Sequence, residues 1–178
     1  MAKKEGGCKF GKLLKRTRGK VKVAVDTDCI ISLFKPKEEI HPYMCHIDKM
    51  CREGKIELYV SLKTIEQLSV QGGAPLDYAE SLSKLPNYPV GTWNEQVGTW
   101  DNVAGTWDDA KENQKLQQKI HRLTKSGVNM RDRQIVIDSY YGKMQVLLTN
   151  DHGLCDERPA RKLREELGIL VMSPKKFL

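Results

Sequence analysis

Short strand-forming runs alternate with helical segments along most of this sequence, and the alternation limits the possible folds more than any other feature. The runs are apolar and rich in β-branched residues, and they fall at Val21–Val25, Ile56–Val60, 145–149 and 169–172. Buried strands of parallel sheets have this composition, and their crossover connections are usually helices. The sequence therefore predicts an α/β fold, a three-layer α/β/α arrangement with a central, mostly parallel sheet.

Capping and turn residues predict where the helices between these strands begin and end. Pro42 suits the first turn of one helix, Gly54 ends it, and Ser61 can cap the next. Gly142 and Gly168 follow two further helical segments, as glycine does at helix ends. We expect helices at 29–34, 42–51, 62–69, 77–85, 108–125, 131–141 and 157–167.

Four carboxylates fall at the ends of these predicted elements, where an active site can form. Asp26 and Asp151 directly follow two strands, and ligand sites of parallel sheets lie just beyond the carboxyl ends of the strands. Glu66 lies one turn into a helix, and Asp132 begins another, where the N-terminal dipole favours an anion. Oxygen ligands without His or Cys favour Mg²⁺ or Mn²⁺ over Zn²⁺. We expect these four side chains to form a cage for one or two such ions.

Two further aspartates have alternative interpretations. Asp138 lies more than about one and a half helical turns beyond Asp132, so the two carboxylates cannot easily face one metal ion. Of the two, Asp132 is the better candidate because it stands at the start of its helix. Asp28 either adds a metal ligand or caps the helix after the first strand, and capping is the interpretation that we favour.

The same residues resemble the sequence motifs of PIN-domain nucleases, and the resemblance covers residues 21–178. The matching segments are Val-Ala-Val-Asp26-Thr-Asp28, Thr64-Ile-Glu66-Gln-Leu, Asp132-Arg-Gln-Ile135-Val-Ile-Asp-Ser139, Leu-Leu-Thr149-Asn150-Asp151 and the ending Ile-Leu-Val-Met-Ser-Pro174-Lys-Lys-Phe177-Leu178. The third is similar to the family's D-x-x-I-x-x-x-A helix, with Ser139 in place of a small apolar residue.

This resemblance implies a PIN-like nuclease domain at 21–178 that acts as an Mg²⁺- or Mn²⁺-dependent endoribonuclease. It assigns metal binding and catalysis to four acids, Asp26, Glu66, Asp132 and Asp151. Thr149 and Asn150 support the last of these, Asp151. Many bacterial members are toxins of toxin–antitoxin pairs, so the implied protein partner is an antitoxin or a scaffold. A second copy of this chain, in a homodimer, is a further candidate partner. The alternative function is a non-catalytic PIN-like module that binds RNA or protein in a larger complex.

An excess of positive charge is compatible with a polyanionic partner such as the RNA that the resemblance implies. Thirty Lys and Arg residues against 23 Asp and Glu residues give a net charge of +7, and a basic surface attracts a polyanion. Residues 1–20 form a basic arm that either contacts phosphates or is a solvated terminus. Arg131 and Arg133 are the candidate phosphate contacts beside the acids. The expected partner is RNA, single-stranded or structured.

A Gly-Thr-Trp motif recurs at seven-residue spacing around residues 90–107, within a stretch longer than a compact toxin usually needs. All three tryptophans of the chain lie in it, at Trp93, Trp100 and Trp107. Stacking of unpaired bases on these rings is one interpretation. The interpretation that we favour is a local duplication, an insertion whose tryptophans cover the core or a subunit contact.

The cysteines and the apolar runs bear on the cellular compartment and on an alternative metal. Five cysteines without CxxC spacing predict reduced thiols, and no apolar run has the length of a membrane span or signal peptide. We therefore expect an intracellular, cytoplasmic protein. A zinc site formed by His41, Cys45 and Asp48 on one helix face, with Cys51 nearby, is a less favoured alternative.

Overall fold

Five parallel strands form the centre of the part of the protein that the structure describes. The computed structural model describes residues 19–86, 107–124 and 128–178. Its strands are β1 (Val21–Val25), β2 (Ile56–Val60), β3 (Ser83–Lys84), β4 (Val146–Leu148) and β5 (Leu170–Met172). Within the described ranges they lie in the order β3-β2-β1-β4-β5, and each neighbouring pair is parallel. The predicted α/β fold is confirmed.

Helices connect the strands and cover both faces of the sheet. In chain order they are α1 (Thr27–Leu33), α2 (His41–Arg52), α3 (Leu62–Ser69), α4 (Ala74–Ser81), α5 (Trp107–Leu123), α6 (Met130–Tyr141), α7 (His152–Cys155), α8 (Glu157–Leu167) and α9 (Pro174–Phe177). Val23 of β1 packs in a core cluster with α1 to α4 and α9, whereas its neighbour Ala24 packs in a second cluster with α5 to α8. Successive strand residues point to opposite faces, so the sheet is the middle of three layers.

The order of the strands explains where a site can form. The chain runs from β1 outward to β2 and β3 on one side, and to β4 and β5 on the other side. The boundary between β1 and β4 is therefore a topological switch point, where α/β sheets usually bind ligands beyond the carboxyl ends of their strands. Val25 pairs with Leu148 across this boundary, and the backbone N of Asp26 donates to the carbonyl of Leu148 at 3.0 Å.

One predicted helix is wrong at its C-terminal end. We expected a helix at 77–85, but α4 ends at Ser81 and Ser83–Lys84 form the short edge strand β3. Leu82 is extended, and the backbone N of Leu85 donates to the carbonyl of Val60 at 2.8 Å. Both β3 residues are exposed, so the sequence carried no apolar run that marked a strand. The short helices α7 and α9 were also missed.

Some sequence predictions fall outside the described residues. Residues 1–18 of the basic arm and 90–106 of the tryptophan repeat lie there, as does Cys8. The described cysteines, Cys29, Cys45, Cys51 and Cys155, carry free thiols. No described helix combines the length and the apolar character that a membrane span requires.

A candidate acidic active site

A cleft of about 1080 Å³ lies beyond the carboxyl ends of β1 and β4. Its walls come from α1, α3, α6 and the segment that follows β4. Among the described residues, five acids line it: Asp26, Asp28, Glu66, Asp132 and Asp151. All four acids predicted from the sequence therefore border one cleft. Asp28, for which the sequence favoured a capping role, borders it as well.

Asp26 is almost completely buried at the end of β1, with 4% of its surface exposed. Its Oδ1 accepts a hydrogen bond from the backbone N of Thr27 at 2.6 Å, and its Oδ2 accepts one from the Thr149 hydroxyl at 2.7 Å. Burial is the main reason that the pKa of Asp26 is raised to about 7, and the charges of Asp28 and Asp132 also raise it. The two hydrogen bonds lower this pKa but do not offset the burial. Without a cation, this carboxyl group is therefore partly protonated near neutral pH.

Thr149 connects Asp26 to Asp151. Its buried hydroxyl donates to Asp26 and accepts from the backbone N of Asp151 at 3.1 Å. Asp151 caps α7, with its Oδ1 accepting from the backbone N of Gly153 at 2.6 Å. A Cβ at Gly153 would clash with the side chain of Val128, so this tight approach requires glycine. One threonine thus fixes the relative positions of two acids that are far apart in sequence.

Asp132 lies in the first turn of α6, where it takes part in a reciprocal cap. The Asn129 side chain accepts from the backbone N of Asp132 at 2.9 Å, and a backbone hydrogen bond from Asn129 lowers the pKa of the Asp132 carboxyl. Burial nevertheless raises that pKa to about 6, helped by the charges of Asp151 and Asp28 and by a hydrogen bond shared with the Asp151 carboxyl. Asp132 therefore faces the other aspartates of the cleft, as its helix-start position predicted.

Asp28 does not cap α1, so the interpretation that we favoured for it is wrong. The capping residue is Asp26, whose side chain accepts from the first backbone N of the helix. Asp28 lies in the first turn of α1, and burial followed by the charge of Asp151 raises its pKa. The Asp-Thr-Asp spacing places both carboxylates at the cleft because the chain turns into a helix immediately after Asp26.

Glu66 borders the cleft but is ion-paired with a lysine. Its side chain is 61% exposed and pairs with the Lys63 ammonium at 2.8 Å. The acid that its charge affects is Asp138, whose pKa is raised to about 7 by burial and, to a lesser extent, by Glu66. Asp138 itself is buried and accepts from Nε2 of Gln134 at 2.7 Å. Glu66 and Asp138 thus form a separate acidic region at the α3–α6 side.

The other residues predicted for the site differ in their access to it. Asn150 and Arg131 line the cleft. Arg133 is not among the residues that line the cleft, and its Nη2 donates to the carbonyl of Val128 at 2.7 Å. Gln67, which the sequence did not single out, also lines the cleft, and its Oε1 accepts a hydrogen bond from the Thr27 hydroxyl.

The alternative zinc site is only partly assembled. His41 Nε2 and Cys45 Sγ lie 3.4 Å apart on α2. Asp48, the third predicted ligand, instead accepts from the Tyr78 hydroxyl at 2.9 Å and pairs with Arg52 at 2.6 Å. These two partners satisfy the carboxylate without a metal ion.

The chemistry of the cleft fits a hard divalent cation. Among the described residues, no three His, Cys, Asp or Glu side chains are close enough together to hold a metal ion as they stand. The raised pKa values of Asp26, Asp28 and Asp132 nevertheless show carboxyl groups in a partly dehydrated and mutually repelling arrangement. A cation relieves both effects, and oxygen donors suit Mg²⁺ or Mn²⁺. The side chains would have to move to close the acids around the ion.

Comparisons with known proteins add no family assignment. No family model matches this sequence, and no curated protein matches it significantly.

Proposed function

We propose that this protein is a PIN-type endoribonuclease that depends on Mg²⁺ or Mn²⁺. One observation carries the proposal: aspartates from three distant parts of the chain line one cleft at the switch point of a parallel sheet. They are Asp26 and Asp28 after β1, Asp132 at the start of α6, and Asp151 after β4. Such a concentration of negative charge costs free energy that a bound cation offsets.

Asp26, Asp132 and Asp151 would hold the ion, with Asp28 as a further oxygen donor. A divalent cation at such a site lowers the pKa of water and withdraws charge from phosphoryl oxygens, so that phosphodiester hydrolysis needs no Ser or Cys nucleophile. Thr149 keeps two of these acids in a fixed relation through its paired hydrogen bonds. Glu66 would join the site only after leaving Lys63, because the two are ion-paired at 2.8 Å.

The walls of the cleft suit a nucleic acid strand. Arg131 brings positive charge beside the acids, where backbone phosphates would lie. Val70 and Met130 also line the cleft and are 86% and 50% exposed, respectively. Exposed apolar side chains beside a phosphate contact offer a surface against which unpaired bases can pack, and a single strand presents such bases whereas a duplex does not. We therefore expect single-stranded RNA to be the preferred substrate.

The test is cleavage of a labelled single-stranded RNA with Mn²⁺, Mg²⁺ or EDTA. We expect cleavage that requires the metal and is lost in Asp26→Asn and Asp151→Asn. Asp48→Asn is the matched control, because Asp48 is a buried aspartate that lies outside the cleft and is paired with Arg52. Equal cleavage by wild type and Asp26→Asn, or cleavage in EDTA, would overturn the proposal.

The pairing of Glu66 with Lys63 favours one other function, a non-catalytic RNA-binding module. In that case Lys63 permanently neutralises one of the four expected acids. RNA binding without cleavage at any concentration of Mn²⁺ would support this alternative.

A further inference from the structure

A second cavity, of about 450 Å³, adjoins the acidic cleft on the side of β5 and α9. Asn150 and His152 line both cavities, so the two share a wall. The second cavity also includes Ser173 and two lysines at the start of α9, Lys175 and Lys176. Its volume falls within the range of about 300–1,000 Å³ that is typical of small-molecule pockets. Together the two cavities form a groove over the carboxyl ends of β1, β4 and β5.

The charges of the second cavity leave one lysine available. Two of its acids form ion pairs with lysines, Glu38 with Lys35 at 3.3 Å and Glu39 with Lys175 at 2.9 Å. Asp156 lies 3.2 Å from His152, a contact that is an ion pair only when the imidazole is protonated. Lys176 is exposed and makes no ion pair within the described residues. A polyanion that entered the cavity would therefore meet the ammonium group of Lys176.

We propose that this second cavity is a subsite for the nucleotide next to the scissile phosphate, with Lys176 contacting the RNA backbone. Lys175 is paired with Glu39 and can contact the RNA only when that ion pair is broken. The inference rests on the proposed function, because the acids mark where the scissile phosphate lies. A strand that crosses the acidic cleft continues past Asn150 and His152 directly into the second cavity. The cavity thereby extends the substrate contact beyond the cleaved bond.

Binding of RNA without cleavage isolates this contact. The probe is a fluorescent 12-nucleotide single-stranded RNA in EDTA, and the readout is the slope of log affinity against log salt concentration, measured by anisotropy. Each phosphate contact contributes about 0.7 to this slope for a single strand. We expect Lys176→Gln to reduce the slope by about 0.7 and to weaken binding roughly two- to fivefold, as for an exposed ion pair.

A second variant tests whether Lys175 contacts RNA once its ion pair with Glu39 is removed. Glu39→Gln removes the partner of Lys175, so the freed ammonium should increase the slope by about 0.7 and tighten binding. Lys143→Gln is the matched control, because Lys143 is an exposed lysine in the turn before β4, at the amino end of that strand and away from both cavities. That variant should match wild type.

The outcomes separate this inference from the proposed function. If Lys176→Gln and Glu39→Gln both behave like Lys143→Gln while wild type cleaves RNA with Mn²⁺, the subsite is wrong and the nuclease proposal stands. If the slopes change as expected but wild type never cleaves, the subsite stands as part of an RNA-binding surface and the nuclease proposal fails. If wild type does not bind the RNA, both fail.

Discussion

Replacing Asp26 by Asn should stabilise the metal-free protein at neutral and alkaline pH. Asp26 is buried among other acids, and burial raises its pKa to about 7. The charged form is therefore disfavoured in the folded state relative to the unfolded chain. Asparagine has nearly the same shape and carries no charge, so it removes this penalty.

The size of the effect follows from the pKa shift and from one lost hydrogen bond. A rise from 3.8 to about 7 corresponds, at about 1.4 kcal/mol per unit, to a penalty of up to about 4 kcal/mol. Asparagine can still accept from the Thr27 backbone N, but its amide N cannot accept from the Thr149 hydroxyl, which costs about 1 kcal/mol. The expected net gain is about 3 kcal/mol.

The sign of the pH dependence makes the reasoning testable. Between pH 3.8 and about 7 the folded protein retains the Asp26 proton that the unfolded chain has lost, so the contribution of Asp26 to wild-type stability falls as pH rises through this window. Urea unfolding of wild type and Asp26→Asn in EDTA should give a stability difference that grows from pH 4 to pH 8 and is small or reversed at the acid end.

Asp48→Asn should have the opposite effect on stability, because the carboxylate of Asp48 in the wild type is paired with Arg52 and accepts a hydrogen bond from Tyr78. That variant should lose stability at pH 8. The reasoning is refuted if Asp26→Asn is no more stable than wild type at pH 8, or if the difference between them does not change with pH.

Four further results are expected. Asp151→Asn should reduce RNA cleavage by more than the roughly 10- to 100-fold typical of outer-shell partners, measured as kcat/KM with Mn²⁺; a smaller loss would contradict its assignment as a ligand. Calorimetric Mn²⁺ affinity should increase from pH 6 to pH 8, because the ion displaces protons from acids with raised pKa values, and a flat profile would argue against these acids. Thr149→Val should destabilise the fold by about 1–3 kcal/mol by removing the donor to Asp26 and the acceptor for Asp151, seen in urea unfolding. Gln134→Leu should also lower the free energy of unfolding by about 1–3 kcal/mol, and by more at pH 8 than at pH 5, since Asp138 loses its 2.7 Å hydrogen bond. Equal losses at the two pH values would count against a buried charge on Asp138.

The sequence predicted most of the fold because each strand leaves a local pattern. Apolar runs marked β1, β2, β4 and β5, and parallel pairing then followed from the helices between them. The two-residue strand β3 was missed because Ser83 and Lys84 are polar and exposed, and their pairing with β2 depends on a long-range contact. Such contacts leave no local signal.

Three of the acids in the cleft could be predicted for the same reason. Asp26 and Asp151 follow strands, and Asp132 begins a helix, so element ends alone place them. The role of Asp28 depends on which residue caps α1, and Asp26 takes that position. The orientation of Glu66 could not be predicted, because it depends on a local ion pair with Lys63 on an exposed helix face.

A crystal structure of the protein grown with Mn²⁺, with the anomalous signal of the ion recorded, tests the central claim most directly. We predict an anomalous peak in the cleft, with carboxylate oxygens of Asp26, Asp132 and Asp151 among its ligands at the short distances of direct coordination. Data from a fully loaded crystal that show no peak there, or a peak bound by other residues, would contradict the account.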